Sequence, residues 1–140
     1  MLKKGDTMKE ILALLIAIQR TAKDVHYHAK GSDFWGDHLL ADRIYNDLDG
    51  FIDDIFENWY LGKEEEAPLQ KNIYADAVAN MYESDDLAGM LRRLDDLIFR
   101  CIGSIQSIPD SELTAGDNDL LGRICSDLQK KHGFLIRRFK

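Results

Sequence analysis

Apolar residues recur at steps of three and four along most of the chain, which is the periodicity of amphipathic α-helices. The first pattern predicts a helix that starts at Asp6 or Thr7, with one of them as its N-cap, and ends near His28. A break around Gly31 follows, and a second helix is predicted to run continuously over 34–61, capped by Ser32 or Asp33. The predicted core positions of these two helices are Ile11, Leu14, Leu15, Ile18, Ala22, Val25, Leu40, Ile44, Leu48, Phe51, Ile52, Ile55 and Trp59.

The second half of the chain predicts three more helices: a short one after Pro68, a long one opened by Ser84 or Asp85, and a last one over 117–139. Their core positions are Leu87, Met90, Leu91, Leu94, Ile98, Cys101, Ile102, Ile105, Leu120, Leu121, Ile124, Leu128, Phe134 and Leu135. No strand-like alternation occurs. Four long helices and one short helix in the middle connection predict an all-α, ferritin-like four-helix bundle over residues 1–140, with a crossover that leaves helices two and three parallel.

The composition fits one soluble domain and restricts its partners. The chain has 140 residues, 45% hydrophobic and 31% charged, and its formal charge of −7 disfavours DNA and anionic membranes. The apolar run over 11–18 is far below the roughly 20 residues of a membrane span, so a cytoplasmic protein without a membrane partner is predicted. Cys101 and Cys125 lack C-x-x-C spacing and are expected to be reduced and buried.

Five potential metal ligands lie in the first half of the chain: His26, His38, Asp42, Asp53 and Glu57. On one straight helix the last four would share a face, because each lies within about 100° of His38. Along the axis, however, Asp42 and Asp53 would be about 16 Å apart, whereas iron and similar cations take ligand atoms at about 2 Å. One chain therefore supplies only half of a metal site at each end of this helix face. Two antiparallel copies would form two equivalent sites across a twofold axis.

Each of these residues also has a simpler interpretation. Carboxylates four residues apart on a helix usually form a solvated face, and Asp42 would then pair with Arg43 or another neighbour. A histidine at a helix end, such as His26, more often caps the helix or packs in the core. The joint occurrence of five candidates favours a metal site, and a mixed imidazole and carboxylate set suits iron(II), manganese or zinc.

The segment from His26 to Asp42, together with Asp53 and Glu57, resembles the ferroxidase signature of the Dps family, the mini-ferritins that protect bacterial DNA from iron and peroxide. In that family a histidine stands five residues before a glycine, and a second histidine stands seven after it. An aspartate follows four residues later, and an Asp-x-x-x-Glu pair begins eleven residues beyond. All of these spacings occur here. Tyr27, His28 and Asn58 stand where the family usually has Trp, Asn and Arg, so the immediate surroundings of the site are expected to differ from those of the family.

The resemblance implies a ferroxidase that binds and stores iron. One subunit would supply His26, His38 and Asp42, and its twofold mate would supply Asp53 and Glu57, with Glu57 bridging two irons. Hydrogen peroxide or oxygen would oxidise iron(II), and ferric oxide would collect inside a hollow homo-dodecamer built from twofold dimers, protecting the cell from oxidative damage. Zinc or manganese would be substitute metals. Acidic pores are also implied, with candidates Asp117, Asp119 and Asp127, whose simpler interpretation is a solvated face.

Two other functions stay open. A DNA-compacting protein is suggested by the basic residues at 130–131 and 137–140, which would contact phosphates. The net charge and the short basic start, Lys3 and Lys4, disfavour it. The other alternative is a structural bundle that has the ferritin-like fold and stores no iron.

Overall fold

The computed structural model describes residues 4–83 and 86–140, and these residues form helices and no strand. The α-helices are α1 (Lys4–His28), α2 (Phe34–Tyr45), α3 (Leu48–Asp54), α4 (Gln70–Ala79), α5 (Leu87–Gln106) and α6 (Ala115–Phe139). A π-helical segment (Ile55–Tyr60) and a 3-10 turn (Leu61–Lys63) continue α3, and a second 3-10 turn (Asp110–Glu112) precedes α6. None of the described helices has the length and apolar character needed to cross a membrane.

The helices pack as a four-helix bundle with α4 on its outside. Helix α1 contacts α2, α3 and α5, and α6 contacts α5 and the π segment. The start of α2 lies beside the end of α6, because Asp37 pairs with Arg138. The start of α5 lies there too, because Leu87 and Phe139 line one pocket. Helices α2 and α5 therefore run in the same direction, joined by a crossover that contains α4, and the predicted ferritin-like topology is confirmed.

The core is centred on α1, in which every residue from Ile11 to Ile18 is buried. The sequence predicted one apolar face of this helix; Leu12 and Ile16, on the other side, are buried as well, since other helices pack around α1. Burying such a side chain contributes about 1.5–3 kcal/mol to folding. Most of the other predicted core positions are buried, and the half-buried exceptions are Leu40, Phe51, Leu87, Ile102 and Phe134.

Both cysteines are free thiols on the facing helices α5 and α6. Cys101 is buried and Cys125 is half-buried. Burial raises the pKa of each thiol above its ordinary value, so the nucleophilic thiolate is disfavoured at both positions.

The second helix is not continuous, so that prediction is wrong. Helix α2 ends at Tyr45, a turn at Asn46 and Asp47 follows, and α3 then passes into the π segment. In this turn Asp47 forms an ion pair with Lys131 of α6, whose ammonium is almost fully buried and also contacts Asp127. A buried ammonium requires carboxylate partners, and the turn supplies one of them.

Two helix starts also differ from the prediction. Helix α1 begins before Asp6 and Thr7, so both lie inside its first turn rather than at its cap. Helix α5 is capped by Asp86, whose side chain accepts a hydrogen bond from the backbone N–H of Gly89. The predicted caps Ser84 and Asp85, like Lys3 of the basic start, lie outside the described residues.

Candidate metal centre

His26, near the end of α1, and His38, near the start of α2, contact each other through two matching hydrogen bonds. The Nδ1 atom of His26 lies 3.2 Å from the backbone oxygen of His38, and Nδ1 of His38 lies 3.0 Å from the backbone oxygen of His26. Their rings stack with centroids 3.7 Å apart and planes 23° from parallel. Phe34 also stacks on the ring of His38, with the two ring centroids 5.0 Å apart. The break at Gly31, which has a φ of 84°, reverses the chain so that these two histidines meet.

The two contacts determine which ring nitrogen is available for a ligand. A carbonyl oxygen only accepts hydrogen bonds, so Nδ1 of each ring carries the proton. In the neutral imidazole Nε2 then keeps its lone pair. Metal-bound histidines commonly donate their other ring N–H to a backbone carbonyl in this way, which fixes the tautomer and the ring orientation. His26 and His38 are therefore both prepared to donate Nε2 to a cation.

Asp42, one turn after His38 on α2, is held by the last residue of this helix and by the residue that follows it. The hydroxyl of Tyr45 donates to Oδ1 of Asp42 at 2.9 Å, and the side-chain amide of Asn46 donates to Oδ2 at 3.2 Å. Each oxygen retains a lone pair for a cation. Burial and the hydrogen bond to Asp42 raise the pKa of Tyr45, so this hydroxyl remains a donor at neutral pH.

The first turn of α2 is anchored to the end of α6 by an ion pair directly before His38. Arg138 donates to both oxygens of Asp37, from Nε at 2.6 Å and from Nη2 at 3.2 Å. Asp37 is 1% exposed, so its charge depends on this partner. Asp33, the N-cap residue, lies 3.7 Å from the same guanidinium. The hydrogen bonds to Asp37 raise the pKa of Arg138.

Asp53 and Glu57 lie at the other end of the broken second helix, and both are exposed. Among the described residues, neither carboxylate has a hydrogen bond or an ion pair to another side chain. Glu57 belongs to the π segment, where the extra residue in the turn aims its side chain differently from a straight α-helix. Gly62 makes room for this geometry, because a Cβ added there would lie 3.3 Å from the backbone oxygen of Glu57.

The structure brings the five predicted ligands together only in part. His26 on α1 stacks on His38 of α2, and Tyr45 contacts both His26, at 5.5 Å between ring centroids, and Asp42, which follows His38 by one turn. Within the part of one chain that the structure describes, no three His, Cys, Asp or Glu side chains are placed to hold a metal ion together. The shared site between two subunits thus stays a prediction.

The carboxylates considered for an acidic pore are all paired in the structure. Asp117 is buried: it forms a capping box with Thr114 at the start of α6 and an ion pair of 2.6 Å with Lys63. Although burial raises it, the hydrogen bonds from Lys63 and Thr114 hold the pKa of Asp117 below its usual value. Asp127 contacts the buried Lys131, and the exposed Asp119 pairs with Arg123.

The residues that support the ligands were not identified from the sequence. Tyr45 and Asn46 stand three and four residues after Asp42, which is the spacing of neighbours on a helix surface, so a signal was present. Asp37 and Arg138 gave no such signal, because 101 residues separate them. Tyr27 and Trp35, next to the ligands in sequence, are largely exposed rather than packed in the core.

Comparison with solved structures identifies the fold. The chain is similar to a mutant of Dps1 from Mycobacterium smegmatis, with a TM-score of 0.75 and 21% sequence identity, over 99% of this chain and 100% of that one. No protein-family profile matches the sequence, and no curated protein matches it either. At this identity the likeness shows the fold: the chain has the Dps-like, ferritin-like bundle that its ligand spacing suggested.

Proposed function

We propose that this protein is a ferroxidase of the mini-ferritin type. It oxidises iron(II) at sites shared between two subunits and stores the ferric product in a hollow homo-oligomer, a dodecamer built from twofold dimers. The observation that carries the proposal is the His26–His38 pair, in which both Nδ1 atoms are committed to backbone oxygens and both Nε2 atoms are available. Asp42 follows His38 by one turn on the same helix and adds a carboxylate to the donors that this half of the chain offers.

The donor set fits iron(II) as the substrate. Two imidazole nitrogens and the Asp42 carboxylate from one subunit, with Asp53 and Glu57 from another, combine ligands that suit iron, manganese or zinc. The carboxylates neutralise the cation, and a set of five donors shared by two irons leaves positions for the oxidant. Two iron(II) ions then give one electron each to one hydrogen peroxide, which takes up two protons and leaves as two waters.

Exposed apolar side chains support the twofold pairing. Trp35 and Leu39 flank His38, and Leu61 follows Glu57 by one turn; all three are more than half exposed. In an antiparallel pair, the Trp35 end of one subunit would lie against the Leu61 end of the other. Burial of these side chains would then accompany completion of each site.

The alternative of a DNA-compacting protein has little support from the positions of the basic residues. Lys131 is buried between Asp47 and Asp127, and Arg138 is engaged by Asp37. Lys131 is thus unavailable to phosphates, the charge of Arg138 is largely offset by Asp37, and the chain has a formal charge of −7. A gel-shift titration at low salt is expected to show no retardation of duplex DNA.

The test of the proposed function exploits the division of each site between two chains. Iron(II) is mixed anaerobically with hydrogen peroxide, and ferric absorbance is followed for the wild type and for the variants His38→Ala and Asp53→Ala. Each variant alone should be nearly inactive. When equal amounts are co-refolded, half of the dimers combine one chain of each kind and contain one intact site of two, so about a quarter of the activity should return.

Three outcomes would contradict the proposal. Wild-type rates in both single variants would remove these residues from the reaction. No recovery on co-refolding, with mixed dimers demonstrated by mass, would show that the ligands of one site come from one chain. A monomer by light scattering that takes up no iron would favour the structural bundle.

A further inference from the structure

We infer that Tyr45 is a positioning residue of the metal centre, which orients Asp42 through its hydroxyl and His26 through its ring. The inference rests on the proposed function and adds a residue that does not itself contact the metal. Tyr45 is the last residue of α2, directly before the turn that breaks the second helix. It stands one turn beyond Asp42 and reaches back to α1.

The hydroxyl of Tyr45 acts on the carboxylate. A free aspartate side chain populates several rotamers, but here Oδ1 accepts from Tyr45 at 2.9 Å while Oδ2 accepts from Asn46 at 3.2 Å. With both oxygens engaged, the plane of the carboxylate is fixed before any cation arrives. A ligand fixed beforehand loses less conformational entropy on binding, so the affinity is higher.

The ring of Tyr45 acts on the histidine. It lies perpendicular to the ring of His26, with the two centroids 5.5 Å apart and the planes at 88°. The ammonium of Lys23, one turn before His26 on α1, lies 4.0 Å from the centroid of the Tyr45 ring. The ring is thus held between groups of α1 while its hydroxyl holds a residue of α2. One side chain connects two of the three ligands that this chain supplies to a site.

Tyr45→Phe separates these two roles, because it removes the hydroxyl and keeps the ring. The probe is cobalt(II), which binds without being oxidised under anaerobic conditions and reports its ligand geometry in its visible spectrum. In the assembled protein, titration calorimetry should show cobalt bound about 10-fold more weakly than in the wild type, the lower end of the range for loss of a supporting group. The visible spectrum should change in the same variant, and Tyr45→Leu should weaken binding further.

Tyr82→Phe is the matched control. The hydroxyl of Tyr82 also donates to a carboxylate on α1, that of Asp24, which is not among the ligands. This variant should bind cobalt like the wild type. A second check uses the Asp42→Ala background: if Tyr45 acts through Asp42, Tyr45→Phe should have no further effect on cobalt affinity there.

The outcomes separate this inference from the proposed function. Equal cobalt affinity and equal spectra for Tyr45→Phe, Tyr82→Phe and the wild type would overturn the role of Tyr45 and leave the ferroxidase intact. An undiminished effect of Tyr45→Phe in the Asp42→Ala background would also overturn it, since the hydroxyl would then act elsewhere. A wild-type protein that binds no cobalt and oxidises no iron would remove both.

Discussion

The two halves of the candidate site are built in different ways. The half that contains His26, His38 and Asp42 is held in place by hydrogen bonds within the chain. The half that contains Asp53 and Glu57 is exposed, and among the described residues its carboxylates have no hydrogen bond or ion pair to another side chain. The residues of the first half have hydrogen-bond partners within one subunit, whereas those of the second would acquire partners on binding a cation and a second subunit.

The two halves differ in what fixes the orientation of their side chains. In the first half, supporting hydrogen bonds fix the rings and the carboxylate before binding, so those groups contribute to the stability of the subunit as well as to binding. In the second half, the backbone of the π segment determines the direction of Glu57, and among the described residues no hydrogen bond or ion pair to another side chain holds its carboxylate. The following variants test this contrast.

The largest expected effect comes from comparing His26→Ala with Glu57→Ala. Each should slow iron oxidation by about 100-fold, the upper end of the range known for supporting groups, because a ligand itself is lost. Only His26→Ala should also lower the melting temperature. It removes the ring that stacks on His38 and the hydrogen bond from that ring to the backbone oxygen of His38. Equal melting temperatures for the two variants would contradict the contrast between the halves.

Arg138→Ala should destabilise the subunit by about 2 kcal/mol. The substitution leaves the buried carboxylate of Asp37 without its partner; the cost is below that of a fully buried pair because Arg138 is partly exposed. Arg138→Lys keeps the charge but not the bidentate geometry, so it should recover part of the loss. Chemical unfolding measures both, and a neutral Arg138→Ala would show that Asp37 does not need the ion pair.

Asp117→Asn tests the ion pair that holds the end of the second helix, since Asp117 of α6 pairs with Lys63 just after the π segment that contains Glu57. At pH 7 it should cost about 1 kcal/mol, the typical value of a capping interaction. The folded-state pKa of Asp117 is lowered, so its stabilisation is present above the unfolded value of about 3.9 and is lost as the pH falls through the lower folded value. Urea unfolding should therefore separate wild type from variant at pH 7 and give equal stabilities at strongly acidic pH. A difference that persists in acid would assign the effect to something other than the charge.

Gly62→Ala should have the smallest effect. A Cβ at this position meets the backbone oxygen of Glu57 at 3.3 Å, so the π segment must shift by a few tenths of an ångström. The expected result is iron oxidation slowed by about two- to threefold, with the crowding offsetting the helix-propensity gain of up to about 1 kcal/mol. The control is Gly50→Ala on α3, where a Cβ meets nothing within 4 Å. That variant should keep the full gain in stability, and identical behaviour of the two would remove the role of Gly62.

Much of the fold follows from the local pattern. The three- and four-residue steps of Ile11, Leu14 and Ile18 predicted a helix with one buried face, and the break at Gly31 predicted the turn that joins the two histidines. Local patterns do not contain the helices that will cover a second face, which is why Leu12 and Ile16 were not assigned to the core.

The wrong predictions for Lys131 and for the second helix share a physical cause, because both features depend on contacts between distant residues. Lys131 was assigned to a basic surface, since its partner Asp47 lies 84 residues away and the pairing leaves no local signal. The same ion pair lies at the break between α2 and α3. The four-residue spacing of Ile44, Leu48 and Ile52 continues through this turn, so the sequence pattern predicted one continuous helix. The proposed ligands could be named from the sequence because metal chemistry restricts residue type and spacing together, and their role stays a prediction.

The ion pair between Asp37 and Arg138 also has a consequence for the order of events during synthesis. The two residues are 101 positions apart, so α1 and α2 leave the ribosome long before the guanidinium that neutralises Asp37 is made. Until α6 docks, the carboxylate favours water, and the first turn of α2, directly before His38, lacks its anchor. The first turn of α2 therefore gains its anchor only after the last helix has been made, so the segment directly before His38 is fixed late in synthesis.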